Sequence, residues 1–320
     1  MVTMINPFDL ENIHKFLKGV DKFYTQFERR RTENKVIWQE GSTEVTEHGS
    51  KSKVSIFFIP SLINKSYILD LSEETSLVNY FITHGFKVYV INFTEPNDDE
   101  SSMGFTDYQQ RIIRAISDIC GCNEVITIGY CLGGVFSCSI ASSNKINIIQ
   151  QILIATPWDL SHLNNPLVFN NFKLLMESMD KVPPAMIQLF FSYLAPTRIW
   201  NKFCQFSTLK EQSEIDKFLA IEQWINDGIS LSKKFGLEAI EMITDNSLSK
   251  TTYLQICNIP SLIINGSEDN IAPIASSAPL YALLENKEII VEKTGHIGLI
   301  LSKLSQEKIW PKMLKFITNS

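Results

Sequence analysis

The hexapeptide Gly129-Tyr130-Cys131-Leu132-Gly133-Gly134 stands between an apolar β-branched run, Val125-Ile126-Thr127-Ile128, and a stretch of small residues with helical character. Few chain geometries accept it. A strand that turns at once into a helix brings the residues two before and two after Cys131 into contact, so the turn needs glycine at Gly129 and Gly133. It also lifts the thiol clear of the backbone at the top of a sheet. The first amides of the following helix then point at the sulfur, which favours the thiolate and offers the Leu132 N–H as an oxyanion donor. The plainer alternative is a glycine-rich turn holding an inert cysteine.

The rest of the chain fits such a turn. From residue 54 onward, short β-branched or aromatic runs alternate with helical stretches, the βαβ pattern of a mostly parallel sheet. Strands are expected at Val54 to Ile59, Val88 to Asn92, Glu124 to Gly129, Gln150 to Ala155, Ser261 to Asn265 and Glu288 to Val291. Helices are expected at Leu69 to His84, Asp107 to Cys120, Val135 to Ser143 and Gln306 to Ile317. About 95 residues separate the strand ending near Ala155 from the one starting near Ser261, where a crossover needs only about a dozen. That interval is rich in large apolar side chains, including Phe169, Phe172, Phe190, Phe191 and Trp200, and it carries the helical stretch Glu214 to Trp224. A helical cap over the carboxyl ends of the strands is the natural expectation, since a plain loop of that length is improbable.

These boundaries give an N-terminal helical arm over 1–50, a core over 51–157 and 256–320, and an inserted cap over 158–255. In the arm, Leu10, Ile13, Leu17, Val20, Phe23 and Phe27 recur at spacings of three and four, one apolar stripe on a helix that Asp9 would cap. Arg29, Arg30 and Arg31 behind it read as a solvated charge run.

Composition excludes several function classes. With 29 basic against 35 acidic side chains, the chain of 320 residues carries a formal charge of −6, so no positive field draws it to nucleic acid. Its six cysteines are too few for a disulfide framework, and no run approaches the roughly 20 apolar residues of a transmembrane segment. The first ten residues lack the pattern of a signal peptide, and a reducing cytoplasm is the expected compartment. Cys120-Gly121-Cys122 is too short for zinc spacing and reads as a pair of structural thiols. No metal and no cofactor is expected.

A nucleophilic cysteine needs a base and a group that orients it. In chains of the α/β-hydrolase type these follow in the order nucleophile, acid, histidine. Downstream, only His296 lies in a loop after a strand, Thr294-Gly295-His296-Ile297-Gly298. Asp269, in the turn after the strand Leu262-Ile263-Ile264-Asn265, can accept the imidazole N–H and set its tautomer, with Glu268 as its competitor. His14, His48, His84 and His162 read as structural or exposed, although His162 stands near the entrance of the insert. The second oxyanion donor belongs to the loop Pro60-Ser61-Leu62. Pro60 has no N–H, which leaves Ser61 or Leu62.

The hexapeptide resembles both the polyhydroxyalkanoate synthase box and the elbow of dienelactone hydrolases. Its flanks favour the first. The segment Leu62 to Leu71 followed by Ser76-Leu77-Val78, the pair Asp107-Tyr108, the acid box Asp269 to Pro273 and the histidine box Gly295 to Gly298 are similar to those of the synthases across roughly residues 55 to 300. By size, and by the segment Glu222 to Asp227, the chain resembles the short catalytic subunit of the two-component type. It departs from the family at Asn92-Phe93, where Asp-Trp is usual, and at Ala195, where arginine is usual before proline.

The resemblance implies an α/β-hydrolase fold with a cap, and an acyltransferase that moves (R)-3-hydroxyacyl groups from coenzyme A onto a growing polyester through Cys131, His296 and Asp269. It also implies a separate accessory subunit, work at the surface of the polymer granule and, as a further option, a homodimer. Two rival readings remain open at this level: a cysteine hydrolase with water as the acceptor, and a non-catalytic granule or scaffold protein.

Overall fold

A computed structural model describes residues 10–26, 35–50, 52, 54–163, 165–194, 196–245 and 258–319. Asp9, Phe27, Arg29, Arg30, Arg31, Ala195 and Cys257 lie outside them. The chain divides into two compact units, one of Asn34–Val182 with Ile229–Ser320 and one of Met1–Glu33 with Pro183–Gly228.

The first unit is built on a sheet. Its strands are β1 (Val36–Glu40), β2 (Thr43–His48), β3 (Ser55–Ile59), β4 (Lys87–Phe93), β5 (Val125–Tyr130) and β6 (Ile148–Ile154). A two-residue ribbon, β7 (Lys181–Val182) with β8 (Leu231–Ser232), stands apart, and β9 (Ser261–Gly266) and β10 (Lys287–Glu292) complete the set. The eight-stranded sheet runs β1-β2-β4-β3-β5-β6-β9-β10. From β4 to β10 all neighbours are parallel, whereas β1 and β2 pair antiparallel with each other and β2 with β4. Strands β5 and β9 are buried along their whole length, as unbroken apolar runs demand when helices cover both faces of a sheet. At the edge, β10 alternates and leaves Ile289 and Val291 exposed.

Every expected strand forms, with ends shifted by one or two residues. Three expectations need correction. First, residues 36–48, assigned to the helical arm, form a hairpin that extends the sheet. Its two-residue loop Gly41-Ser42 has Gly41 at φ 54, the conformation such turns require. Second, Leu69 to His84 is not one helix. Short 3-10 turns at Ser66–Leu69 and Glu73–Thr75 precede the helix Leu77–Thr83, whose N-cap Ser76 accepts the Asn79 N–H at 2.7 Å.

Third, the expected insert does not separate as a block. Residues 166–177 and 229–245 belong to the sheet unit. The reason is packing: Phe136, on the buried helix Leu132–Ser142, stacks with Phe105 at 4.4 Å and with Phe235 at 6.3 Å. The Glu238 carboxylate also accepts the Phe105 N–H at 2.6 Å, which caps the helix Phe105–Cys120.

The second unit is helical. It comprises Leu10–Gln26, Pro184–Leu194, Pro196–Phe206 and Gln212–Asn226. Aromatic rings hold it together. Phe16 stacks on Trp200 at 4.4 Å, Phe203 meets Phe16 and Phe23 edge-on at 6.0 and 5.8 Å, and Phe206 stacks on Phe218 at 4.0 Å. Gly19 lets the first helix cross closely, since a Cβ there would lie 2.0 Å from the Phe203 carbonyl oxygen. The packed face is therefore Phe16, Gly19 and Phe23. The spacing of Leu10 and Leu17 marks a different face, and both of these leucines, with Tyr24, are exposed.

Candidate active site

Cys131 follows β5 directly and precedes the helix Leu132–Ser142, at φ 55 and ψ −125. A non-glycine residue in that region carries about 1–3 kcal/mol of backbone strain, which the surroundings must hold in place. Here they do so with main-chain hydrogen bonds: the Cys131 N–H donates to the Ile154 carbonyl at 2.9 Å, and the Gly134 N–H donates to the Cys131 carbonyl at 2.9 Å. The two glycines are required by contact. A Cβ at Gly129 would lie 2.4 Å from the Gly134 Cα, and one at Gly133 would lie 1.8 Å from the Ile59 carbonyl oxygen.

The second of these contacts carries the loop after β3 up against the turn. Ile59 and Pro60 touch the Gly133 position, and buried Ser61 comes next, its Oγ accepting the Ile63 N–H at 3.4 Å. Leu132 is the first residue of its helix, so its N–H has no intrahelical carbonyl four residues back.

His296 arrives from the far side. It lies after β10, the third neighbour of β5, roughly 14 Å away at ordinary strand spacing. Its loop folds back because β9 and β10 end in register, Gly266 opposite Glu292. The two loops that leave them are tied together: the Ser267 N–H donates to Glu292 O at 2.9 Å and the Glu268 N–H to Thr294 O at 3.1 Å.

Asp269 is fixed in this turn by the N–H groups of Ile271 and Ala272, which donate to its Oδ1 at 2.8 and 2.9 Å. Its other oxygen accepts from His296 Nδ1 at 2.7 Å. Nε2 is then the ring nitrogen left for Cys131, whose charge acts on His296. Burial by itself would pull the His296 pKa down. The charge on Cys131, the hydrogen bond to Asp269 and the charge on Asp269 outweigh it, and push the pKa from 6.5 up to about 10.

Cys131, His296 and Asp269 are thus brought together, all of them buried. Glu268 is exposed, and its backbone rather than its carboxylate serves the loop. The other histidines are elsewhere: His48 against Thr46 Oγ1 at 3.0 Å, His84 on the Tyr80 carbonyl at 2.7 Å, and His14 and His162 exposed. Among the described residues no three His, Cys, Asp or Glu side chains gather as metal ligands. Burial raises the Cys120 thiol pKa, and Cys122 is exposed.

The contact of Tyr130 with His296 was not legible in the sequence. The Tyr130 hydroxyl donates to the His296 carbonyl at 3.3 Å, and the two rings lie 5.1 Å apart. Asp107 caps its helix, accepting the Gly104 N–H at 2.8 Å, and Tyr108 is buried edge-on to Phe93 at 6.0 Å. Asn92 donates to Thr46 Oγ1 at 3.1 Å and is hydrogen-bonded to Ser66, which ties β4 to β2 and to the turn after β3.

Residues 55–303 match the family described as alpha/beta hydrolase fold. Among curated proteins the chain is similar to the poly(3-hydroxyalkanoate) polymerase subunit PhaC of Haloferax mediterranei, 27% identical over 88% of this chain and 63% of that protein. The protein of the same name from Thiocystis violacea is 24% identical over 83% of this chain and 81% of that one. The protein of the same name from Synechocystis is 23% identical over 96% and 93%. The chain therefore spans somewhat under two thirds of the Haloferax protein. Among solved structures, a monoacylglycerol lipase from Paleococcus ferrophilus matches with a TM-score of 0.61 at 14% identity, over 87% of this chain and 99% of that one. An esterase from Thermogutta terrifontis matches with a TM-score of 0.59 at 12% identity, over 91% and 99%.

Proposed function

This chain belongs to the alpha/beta hydrolase fold family, and from that premise we propose that it is an acyltransferase polymerising (R)-3-hydroxyacyl-CoA into polyhydroxyalkanoate. The observation that carries the reading is the Cys131–His296–Asp269 constellation: a thiol on a strained backbone elbow, whose charge acts on an imidazole that a carboxylate holds at 2.7 Å. The polymerase names of relatives aligned over most of the chain supply the substrate class.

The chemistry runs in two halves. With its pKa pushed up to about 10, His296 is an imidazolium at neutral pH, and the proposed mechanism uses Cys131 as a thiolate nucleophile. The sulfur attacks the thioester carbonyl. The oxyanion is held by the Leu132 N–H and by the backbone N–H of Ser61. When the carbon–sulfur bond to coenzyme A breaks, the departing thiolate takes the His296 proton. Exchange of one thioester for another is nearly isoenergetic, so a cysteine loads and unloads acyl groups reversibly, where a serine would trap them as an oxygen ester.

In the second half, neutral His296 removes the proton from the 3-hydroxyl of an incoming unit. That oxygen attacks the acyl-Cys131 carbonyl, an ester forms, and the Cys131 thiolate leaves beside the regenerated imidazolium. Asp269 keeps the Nδ1 proton in place throughout, and its two amide hydrogen bonds stop the carboxylate from rotating.

Relatives named as subunits support a further part of the proposal. The chain works with an accessory subunit at the granule surface, and co-expression of that subunit raises its rate. No helix among the described residues is long and apolar enough to cross a membrane.

The deciding assay follows coenzyme A release from 3-hydroxybutyryl-CoA together with recovery of product. Polymer plus coenzyme A, with acyl label on the peptide that carries Cys131 and its loss in Cys131→Ala, is the expected result. Free 3-hydroxybutyrate without polymer would instead make the chain a cysteine hydrolase. No release at all would leave it non-catalytic.

A further inference from the structure

The residue that precedes the nucleophile is a large buried tyrosine whose two ends both meet the histidine loop. Tyr130 is the last residue of β5 and pairs with Ile154 on β6, so its backbone is fixed by the same ladder that sets Cys131. A buried phenol needs an acceptor. The Tyr130 hydroxyl finds one in the main-chain carbonyl of His296 at 3.3 Å, across 166 positions of sequence. The ring lies 5.1 Å from the imidazole centroid, tilted by 39°. That is within the range over which an aromatic face attracts a cation.

The need for such a tether follows from topology. The histidine reaches the elbow from the third neighbouring strand, and the bonds that fold its loop back, Glu268 N–H to Thr294 O and His296 Nδ1 to Asp269, all lead to the loop after β9. None of those bonds refers the imidazole to β5. Tyr130 does.

We propose that Tyr130 is a positioning residue for His296: its hydroxyl ties the histidine backbone to the nucleophile's own strand, and its ring favours the charged imidazole. The inference rests on the reading of His296 as the catalytic base, and it assigns the two functions to two separable parts of one side chain. Tyr130→Phe removes the tether and keeps the ring. Tyr130→Leu removes both.

The test uses two readouts on the full chain. In protein labelled with 13C at histidine Cε1, the His296 resonance is assigned by its loss in His296→Gln and followed by NMR against pH without substrate. Coenzyme A release gives kcat and KM. Tyr130→Phe is expected to lower kcat about fivefold to tenfold with KM within about twofold, and to leave the His296 titration where it is in the wild type. Tyr130→Leu is expected to lower kcat by more than about fiftyfold and to move the His296 titration down by about one pH unit, because loss of the aromatic face disfavours the imidazolium. If the leucine variant does not fold, as judged by its thermal melt, Tyr130→Met takes its place.

An unmoved His296 titration in the non-aromatic variant, or wild-type turnover in Tyr130→Phe, overturns the proposal. Absence of coenzyme A release by the wild type would sink the proposed function instead. The titration of the resting protein stays readable in that case, so the two failures are distinguishable.

Discussion

Around Cys131 in the sheet unit the decisive contacts involve main-chain atoms, whereas in the helical unit they are between rings. Around Cys131, glycines touch backbone, amides hold the Asp269 carboxylate, and a register between β9 and β10 sets two loops side by side. The helical unit has one close backbone crossing at Gly19, and otherwise depends on Phe16, Trp200, Phe203, Phe206 and Phe218. Main-chain geometry admits almost no adjustment. Ring packing tolerates shifts of a few tenths of an ångström and degrades gradually. The first region should therefore fail abruptly on substitution and the second by degrees.

The most severe test is Gly133→Ala. Its Cβ would meet Ile59 O at 1.8 Å and Pro60 O at 2.7 Å, backbone atoms with nowhere to go. A loss of about 3 kcal/mol or more, seen as lost soluble yield or a collapsed melting temperature, is expected. A variant melting within a few degrees of the wild type would break the contrast.

Next come the two acids of one turn. Asp269→Asn should lower coenzyme A release by about 10³-fold or more, because an amide facing Nδ1 enforces the wrong tautomer. Glu268→Gln should stay within about threefold, its side chain being exposed. A reversal of that order would move the orienting role to Glu268.

The same site makes stability depend on alkaline pH. The folded pKa of His296 is raised from 6.5 to about 10, so native protein holds that proton more tightly than unfolded chain. The stability this contributes is fully present below about pH 6.5 and is lost as pH rises toward about 10. Urea unfolding across that window should show the decline, and Cys131→Ala, which removes the foremost charge raising the pKa, should flatten it.

In the helical unit, Phe16→Ala removes the stack on Trp200 and the edge contact with Phe203. About 2–3 kcal/mol of local stability should go, read as faster hydrogen exchange over residues 10–26 and 196–206. Unchanged exchange there would show that the rings do not hold the unit. The smallest effect belongs to Arg114, which pairs with Glu40 at 2.5 and 2.7 Å on a half-exposed surface. Arg114→Ala should cost less than about 1 kcal/mol by thermal melt.

How much of this could be read in advance varied with the range of the interaction. The parallel strands were legible because a strand buried on both faces must be apolar throughout, as at Ile56 to Ile59 and Leu262 to Ile264. The elbow was legible because its glycines answer a local turn. The hairpin at 36–48 carried a signal too, Gly41-Ser42 between alternating residues, but it stood behind an amphipathic helix that drew the boundary past it. The division of the insert carried none, since nothing in Phe235 announces that it stacks on Phe136 and nothing in Glu238 that it caps a helix more than 100 positions earlier.

By itself, then, the sequence determined the strand-turn-helix at Cys131, the order of strands along the chain and the residue types available to act on a thiol, because each depends on neighbours within a few positions. Only the tertiary structure decided which acid meets His296, which face of the first helix is buried and that Tyr130 reaches the histidine. Those outcomes depend on register between strands and on side chains distant in the chain, and no local pattern encodes such a distance.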